Sequence, residues 1–501
     1  ACSIDGQLVA MPWTKKKSSK AILLYRKDLA DQYGVDTSRL ETIEDLDAML
    51  TEAKAKVPDI TIFESGFPRG NTYSDVLAVL HAKYEMDNMN YHTLTFDFNE
   101  EKILRIAEKA KEIGVELFVL DDGWFGKRNK DNASLGDWYP NLNKLPGGIT
   151  GLARKIEEMG MKFGLWFEPE MTNKDSALFR AHPDWLLADI RRNYCHSRNQ
   201  YVLDFSKSEV VDYIYGQMRK ILTEAPVSYI KWDMNRAFSE VFSNGNDRAY
   251  QGKVRHNYIL GVYSLYERLI QEFPDVLFES CASGGARFDP GMLHYAPQAW
   301  TSDDTDAVER IKIQYGTSYV YPLSSMGSHV SASPNHQIFR STSLETRGNV
   351  AYFGTFGYEL DITKLTEKEL EQMKEQITFM KQHRDLIQKG EFYRLESPFK
   401  GNQAAWEVVA KDGSEGLMAY FRVRQPIQGK LERIYFSGLE ETKAYEVREC
   451  FGEKTDFGVH YGDELMYVGF SVSDCSSGLV GVARTGQGDG YSRLFHFRKV
   501  N

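Results

Sequence analysis

The chain has 501 residues, enough for two to four domains, because a single hydrophobic core rarely grows beyond about 250–300 residues. Charged residues make up 26% and apolar ones 42%, the balance of a soluble globular protein. The net charge of −10, with no local basic stripe, would repel a phosphate backbone and excludes nucleic-acid binding; no apolar run reaches the roughly 18 residues of a membrane span.

In chain order, the amino-terminal ~65 residues carry helical patterns at 28–33 and 43–56, and a further helix is predicted at 73–85. From about residue 96 to 330, short apolar runs alternate with amphipathic stretches. The runs lie at 116–120, 162–167, 201–203, 227–230, 276–278 and 298–300, with helices predicted at 100–113, 149–159, 208–223 and 257–273. Repeated strand–helix order with nearly continuous apolar strands predicts a parallel sheet covered by helices. Additional strands predicted at 94–98 and near 318–322 or 350–353 bring the count to that of a (β/α)₈ TIM barrel, an α/β fold. A helix is expected at 366–386. Beyond 391, short strand candidates at 406–410, 415–422, 431–436, 445–450 and 466–472 predict a C-terminal antiparallel β-sandwich. The resulting division is an amino-terminal segment 1–90, a barrel 91–390 and a β-sandwich 391–501.

Five scattered cysteines (Cys2, Cys195, Cys281, Cys450 and Cys475), without a Cys-x-x-Cys pair or metal-like histidine spacing, favour reduced thiols and a cytoplasmic setting. The chain opens Ala-Cys-Ser-Ile-Asp-Gly, in which no signal-peptide pattern is legible.

Most of the predicted strands end in polar, mainly acidic residues: Asp121-Asp122, Glu168, Asp204, Asp233, Glu279 and Asp303. Barrel enzymes draw their chemistry from that rim. No glycine-rich phosphate loop follows any strand, which argues against an open, doubly wound sheet. Cleavage of a glycosidic bond needs two carboxyl groups, and the rim offers several. Asp233 follows Tyr-Ile-Lys-Trp, two residues after Lys231, whose ammonium would keep a nearby carboxylate ionised. The same aspartate could equally cap a following helix. Asp303 lies in Ser-Asp-Asp-Thr-Asp, where neighbouring charges raise a pKa, as a general acid requires; that segment also fits the start of a helix at 307–314. Asp121-Asp122 could grip sugar hydroxyls or, taken alone, a divalent metal. Glu168-Pro-Glu170 reads as a ligand or as a brace. Cys281-Ala-Ser-Gly-Gly has no evident histidine partner, so a structural or substrate-contacting thiol is expected rather than a nucleophile.

At these segments the sequence resembles the bacterial α-galactosidases of glycoside hydrolase family 36 (clan D). The resemblance rests on Leu-Phe-Val-Leu-Asp-Asp-Gly-Trp-Phe-Gly (117–126), Leu-Gly-Asp-Trp (135–138), Gly-Leu-Trp-Phe-Glu-Pro-Glu-Met (164–171), Arg-Asn-Gln (198–200) and Leu-Asp-Phe-Ser (203–206). It continues with Lys-Trp-Asp-Met-Asn-Arg (231–236), Glu-Ser-Cys-Ala-Ser-Gly-Gly (279–285), Trp-Thr-Ser-Asp (300–303) and Met-Gly-Ser-His-Val-Ser (326–331). It implies a retaining hydrolase of α-galactosides such as melibiose or raffinose, with Asp233 as nucleophile, Asp303 as acid/base, and no metal or redox cofactor. Asp121 and Asp122 would read galactose O4 and O6. Trp138, Arg198, Lys231, Cys281 and Gly284 would make further sugar contacts. Tyr91 stands where the family usually offers a tryptophan platform.

The large N-terminal β-domain of family members, which contributes to their homo-oligomers, is not expected here. The first ~62 residues resemble instead part of a sugar-importer solute-binding protein, through Asp5-Gly-Gln-Leu-Val-Ala-Met-Pro and Tyr25-Arg-Lys-Asp-Leu-Ala-Asp-Gln-Tyr-Gly. Competing expectations are a non-catalytic sugar-binding barrel, a transglycosylase and an α-N-acetylgalactosaminidase.

Overall fold

The computed structural model describes residues 96–500, apart from 193, 426–432, 452–455 and 473–487, together with 3–4, 7–8, 27–36 and 43–56. The chain divides into two units, 1–91 and 92–501. In the first, Ser3–Ile4 and Gln7–Leu8 pair antiparallel, and helices span Lys27–Tyr33 and Ile43–Lys56, as their patterns predict. The helix expected at 73–85 lies outside the described residues, as does Tyr91.

The second unit begins with helix α1 (Glu100–Ile113), capped by the Asn99 side chain and closed by Gly114 at φ +93°. Seven strands follow: β1 (Leu117–Leu120), β2 (Lys162–Phe167), β3 (Val227–Trp232), β4 (Leu277–Ser280), β5 (Gln298–Trp300), β6 (Met326–Ser331) and β7 (Thr355–Glu359). They form one sheet in sequence order, every neighbouring pair parallel. Connections of this kind need crossover helices. Five of the six connections carry α2 (Gly148–Glu158), α3 (Ser208–Glu224), α4 (Val254–Glu272), α5 (Ala307–Thr317) and α6 (Leu344–Ala351), each turning apolar residues to the core, and the connection from β4 to β5 carries the short helix Pro290–Tyr295. Helix α7 (Glu367–Lys389), started by a Thr366/Glu369 capping box, follows the last strand. It nevertheless packs on the first connection: Lys381 Nζ donates to Gly114 O, and Arg384 pairs with Glu116. The sheet therefore curls until its ends approach, the architecture expected of a TIM barrel.

Three strand expectations need correction. Residues 201–203 do not join the barrel; Gln200–Val202 pairs antiparallel with Met171–Asn173 in a separate ribbon after β2. Asp204 accordingly sits beyond that ribbon, bonded to the Ser206 hydroxyl at 2.6 Å, and ends no barrel strand. The strand foreseen near 318–322 or 350–353 is instead β6 at 326–331 followed by β7 at 355–359. Helix α5 runs on to Thr317, leaving Tyr319 and Val320 exposed, and α6 claims 350–351. In the 94–98 run, the described residues 96–98 carry no strand.

The C-terminal domain is an antiparallel sheet of β8 (Glu391–Glu396), β9 (Gln403–Val409), β10 (Glu415–Arg422), β11 (Ala444–Glu449), β12 (Asp456–Tyr461) and β13 (Tyr491–Lys499), in the order β8-β9-β10-β13-β11-β12. One face packs against α5, α6 and α7 through Trp406, Leu417, Phe421 and Leu494. The other buries Tyr420, Tyr445, Phe495 and Phe497 beneath a small ribbon, Arg433–Ile434 with Phe470–Ser471. Among the described residues that ribbon is the only second β-layer, thinner than the expected sandwich.

Candidate active site

The C-terminal ends of β1 to β5 bring the acidic residues together. Asp233 directly follows β3 and is buried. No helix follows it, so the capping alternative falls away. Its carboxylate accepts three N–H bonds: Oδ2 from Trp166 Nε1 (3.2 Å) and Asn235 Nδ2 (2.6 Å), and Oδ1 from Met234 N (2.8 Å). Donors arranged in this way fix the orientation of the carboxylate. Trp166 belongs to β2, in register with Lys231 of β3, so parallel pairing delivers the indole to the neighbouring strand's carboxylate. Asn235 is held in turn by the Ser283 hydroxyl at 3.1 Å.

Lys231 Nζ donates to Asp121 Oδ2 at 2.7 Å, reaching across β2 to the end of β1. Burial opposes the lysine's charge, but the carboxylates around it, Asp121 foremost with Asp233 and Glu279, outweigh burial and raise its pKa well above the ordinary value. Asp122 is gripped at both oxygens by Arg128, through Nε at 2.9 Å and Nη2 at 2.7 Å. Burial pushes the Asp122 pKa up while Arg128 pulls it down, and burial prevails. The guanidinium is 1% exposed, and its Nη1 also binds the carbonyls of Asp131 (2.6 Å) and Ala133 (3.0 Å) and Asn173 Oδ1 (3.2 Å).

Asp303 follows β5 and is open to solvent, with Oδ1 accepting from Trp300 Nε1 at 3.1 Å. The surrounding protein and the nearby Asp233 carboxylate raise its pKa, against the pull of Lys231 and Arg198. Trp300 is itself pinned between the Arg310 guanidinium (4.7 Å) and the His329 ring (4.5 Å). The helix-start reading of this segment also holds, since Asp306 caps α5 through Val308 N and Glu309 N. Gly284, at φ +84°, passes so close to this loop that a Cβ would stand 2.9 Å from Asp303 N and from Ser302 Cα. Only glycine fits there.

Cys281 is buried, and its backbone N–H donates to Trp232 O at 2.7 Å. Burial, reinforced by the adjacent Asp233 carboxylate, raises its thiol pKa well above the usual value, which removes it as a nucleophile. Arg198 is exposed on its loop at φ +51°. Trp138, expected as a sugar contact, lies 2% exposed within an aromatic layer with Trp124, Phe125, Trp166 and Phe167 rather than on the open rim.

Glu168 and Glu170 act as braces. Glu170 accepts from Trp232 Nε1 (2.8 Å), the Tyr258 hydroxyl (2.6 Å) and Arg287 (2.9 Å). Glu168 is fully buried and accepts from Asn235 N at 2.5 Å and Gln200 Nε2 at 2.9 Å. Burial, with the Asp233 charge beside it, lifts its pKa to about 8. The neutral form that this shift favours adds no second charge next to Asp233. An acid raised from 4.5 to about 8 on folding stabilises the fold below 4.5 and loses that contribution as pH climbs towards 8. Glu168→Gln should flatten this decline, by on the order of a few kcal/mol between pH 5 and 9 in urea unfolding. Parallel wild-type and variant curves would show that Glu168 carries no such proton.

Arg128, Asn235, Trp166 and Trp300 were not singled out by sequence reasoning. The last three lie inside the motifs that were, but Arg128 stands two residues beyond the nearest one, with no local signal.

With this geometry in view, two family profiles match the chain: Melibiase over residues 83–390, and the glycosyl hydrolase family 36 C-terminal domain over 403–497. Alpha-galactosidase AgaA of Geobacillus stearothermophilus is 52% identical over 391 residues, covering 78% of this chain and 53% of that protein. Alpha-galactosidase Mel36A of Lactobacillus acidophilus is 45% identical, covering 82% and 54% respectively. The chain thus spans about half the length of the curated relatives it matches. The crystal structure of AgaA aligns with a TM-score of 0.76 at 51% identity, covering 81% of this chain and 54% of that one; variants of AgaA have been crystallised with raffinose and with stachyose. The chain belongs to the melibiase family, glycoside hydrolase family 36.

Proposed function

We propose that this chain is a retaining α-galactosidase that removes terminal α-linked galactose from oligosaccharides such as melibiose and raffinose. Asp233 attacks the anomeric carbon, and Asp303 protonates the departing oxygen. A water activated by Asp303 then releases galactose from the covalent intermediate. The observation that carries this reading is the division of labour between the two aspartates. One is buried and held by three N–H donors; the other is solvent-facing with a raised pKa. Nucleophile and acid need these opposite environments.

Asp121, Lys231 and Asp122 form a linked row of charge suited to polar sugar hydroxyls, and Gly284 lets the Cys281 loop approach the same space. Arg198 and Tyr91 complete the proposed sugar contacts, with Trp138 acting from beneath. A barrel over 91–390 and a C-terminal β-domain over 391–501 belong to this reading, supported by the family matches over 83–390 and 403–497, and a distinct segment over 1–90 is supported by the division of the chain after residue 91. A reducing, cytoplasmic setting fits the free cysteines Cys195, Cys281 and Cys450. No described helix is long and apolar enough to cross a membrane.

The test is hydrolysis of an aryl α-galactoside by the purified chain. A folded but inactive protein that still binds galactose would favour the sugar-binding alternative. Asp303→Ala should lose roughly 10²–10⁴-fold on melibiose, the range of general acid catalysis, and much less on an aryl substrate with an acidic leaving group. Equal losses on both substrates would remove Asp303 from the acid role.

A further inference from the structure

Far from the rim in sequence, three metal-ligating side chains converge where α7 meets the C-terminal sheet. His383 comes from α7, Glu415 from the start of β10 and His496 from β13. Their ligand atoms all lie within 4.8 Å of one another. His496 Nε2 and Glu415 Oε2 are 3.0 Å apart, and the His383 and His496 rings stand 5.1 Å apart at 56°. All three residues are half-buried, which leaves an edge for solvent.

The arrangement follows from the sheet register. Leu417 of β10 lies opposite His496 of β13, so Glu415, two residues earlier, projects from the same face. That face packs on α7, where Phe379 precedes His383 by one helical turn, with rings 4.4 Å apart. Among the described residues, neither ring nitrogen of His383 has a hydrogen-bond partner. The residues are separated by 32 and 81 positions in sequence, so no spacing motif could reveal them.

The geometry points to a binding site for a zinc-class divalent cation, held by His383, Glu415 and His496, that clamps α7 to β10 and β13. Two imidazoles and a carboxylate are a donor set that zinc favours, with water completing the shell. Zinc–nitrogen bonds of about 2.0–2.1 Å place tetrahedral ligands about 3.3 Å apart. The His496–Glu415 separation already matches this, and His383 needs only a side-chain adjustment of roughly 1–1.5 Å. One carboxylate offsets half of the ion's charge. Arg498 lies opposite Glu415 in the register but is exposed, and an exposed ion pair competes only weakly for that carboxylate. The site lies outside the proposed catalytic machinery, so its role is to fasten the two domains.

The test uses the tag-free full chain, stripped with a chelator and titrated with Co²⁺, then Zn²⁺ in competition. One saturable equivalent is expected, with the visible bands of a low-symmetry four- or five-coordinate cobalt ion and a rise in melting temperature on adding Zn²⁺. His383→Ala, on a half-exposed helix face, should fold, lose affinity by at least roughly tenfold and lose the zinc-dependent rise. Glu415→Gln should behave alike, while His460→Ala, which disrupts a separate histidine–glutamate pair, should bind as wild type does. Turnover of an aryl α-galactoside should be unchanged in His383→Ala. No saturable site, or equal affinity in wild type and His383→Ala, would overturn the assignment and leave only the His496–Glu415 ion pair.

Discussion

Asp233→Asn should lower turnover of an aryl α-galactoside by roughly 10⁴-fold or more, the scale on which loss of a covalent nucleophile is felt. An amide cannot attack the anomeric carbon. It also fits the site poorly: whichever way it turns, its NH₂ group faces at least one of the N–H donors from Trp166, Asn235 and Met234. That mismatch costs about 1–3 kcal/mol and should appear as a lower urea midpoint. Asp233→Gly offers a sharper discrimination. With azide supplied, a variant lacking its nucleophile should form a β-galactosyl azide by single inversion, whereas loss of the acid/base should give the α product. Turnover of Asp233→Asn within tenfold of wild type would end the nucleophile assignment.

Arg128→Met should cost about 3–5 kcal/mol in unfolding free energy, because it strands the largely buried Asp122 carboxylate without its cation. The Asp131 and Ala133 carbonyls and Asn173 Oδ1 would lose a shared donor at the same time, loosening the loop that carries Asp122 past the end of β1. On the reading that Asp122 holds a sugar hydroxyl, KM for α-galactosides should rise as well. Arg128→Lys should fall between, since an ammonium keeps the charge but cannot reproduce the two-pronged grip. A variant Arg128→Met within 1 kcal/mol of wild type, with unchanged KM, would show that Asp122 does not depend on this arginine.

The legibility of this molecule varied with the length of the signal. Helix 43–56 reads at its observed ends, and α1, α3 and α7 to within a few residues, because apolar periodicity over fourteen or more positions leaves little ambiguity. Three-residue runs read unevenly: 298–300 is β5 at its exact bounds and 276–278 overlaps β4, but 201–203 joins no barrel strand. Tyr-Val-Leu at 201–203 has the composition of an inner barrel strand, yet Tyr201 and Val202 pair with Thr172 and Met171 of Met-Thr-Asn, whose polarity gave no hint of a partner. Strand β6 reads Met-Gly-Ser-His-Val-Ser, poor in strand formers. Its glycine is required because Trp300 and the β5 backbone occupy the space of a Cβ at Gly327. Strand β13 escaped notice because Arg493, His496 and Arg498 interrupt its apolar residues, although it lies between β10 and β11 in the sheet.

In the site, strand-end acids were visible because polarity after an apolar run is a local feature. The Arg128 clasp on Asp122, the raised pKa of Glu168 and the indole donors to Asp233 and Asp303 were not. The Trp166 bond to Asp233 and the surroundings of Glu168 depend on which elements become neighbours, while the Arg128 clasp and the Trp300 bond are local pairs set by the course of the loops after β1 and β5.

The placement of β13 bears on how the molecule is made. It joins β8-β9-β10 on one side to β11-β12 on the other, and it supplies Ser492, which accepts from Asn349 of the barrel at 2.9 Å. On an emerging polypeptide, both halves of that sheet and the buried Asn349 amide must wait for residues 491–499. Closing a loop of some seventy residues between β10 and β13 is slow compared with the neighbour-to-neighbour assembly of the barrel. Until it closes, β10 and β11 offer unpaired edges, the kind of surface through which strands of separate chains associate.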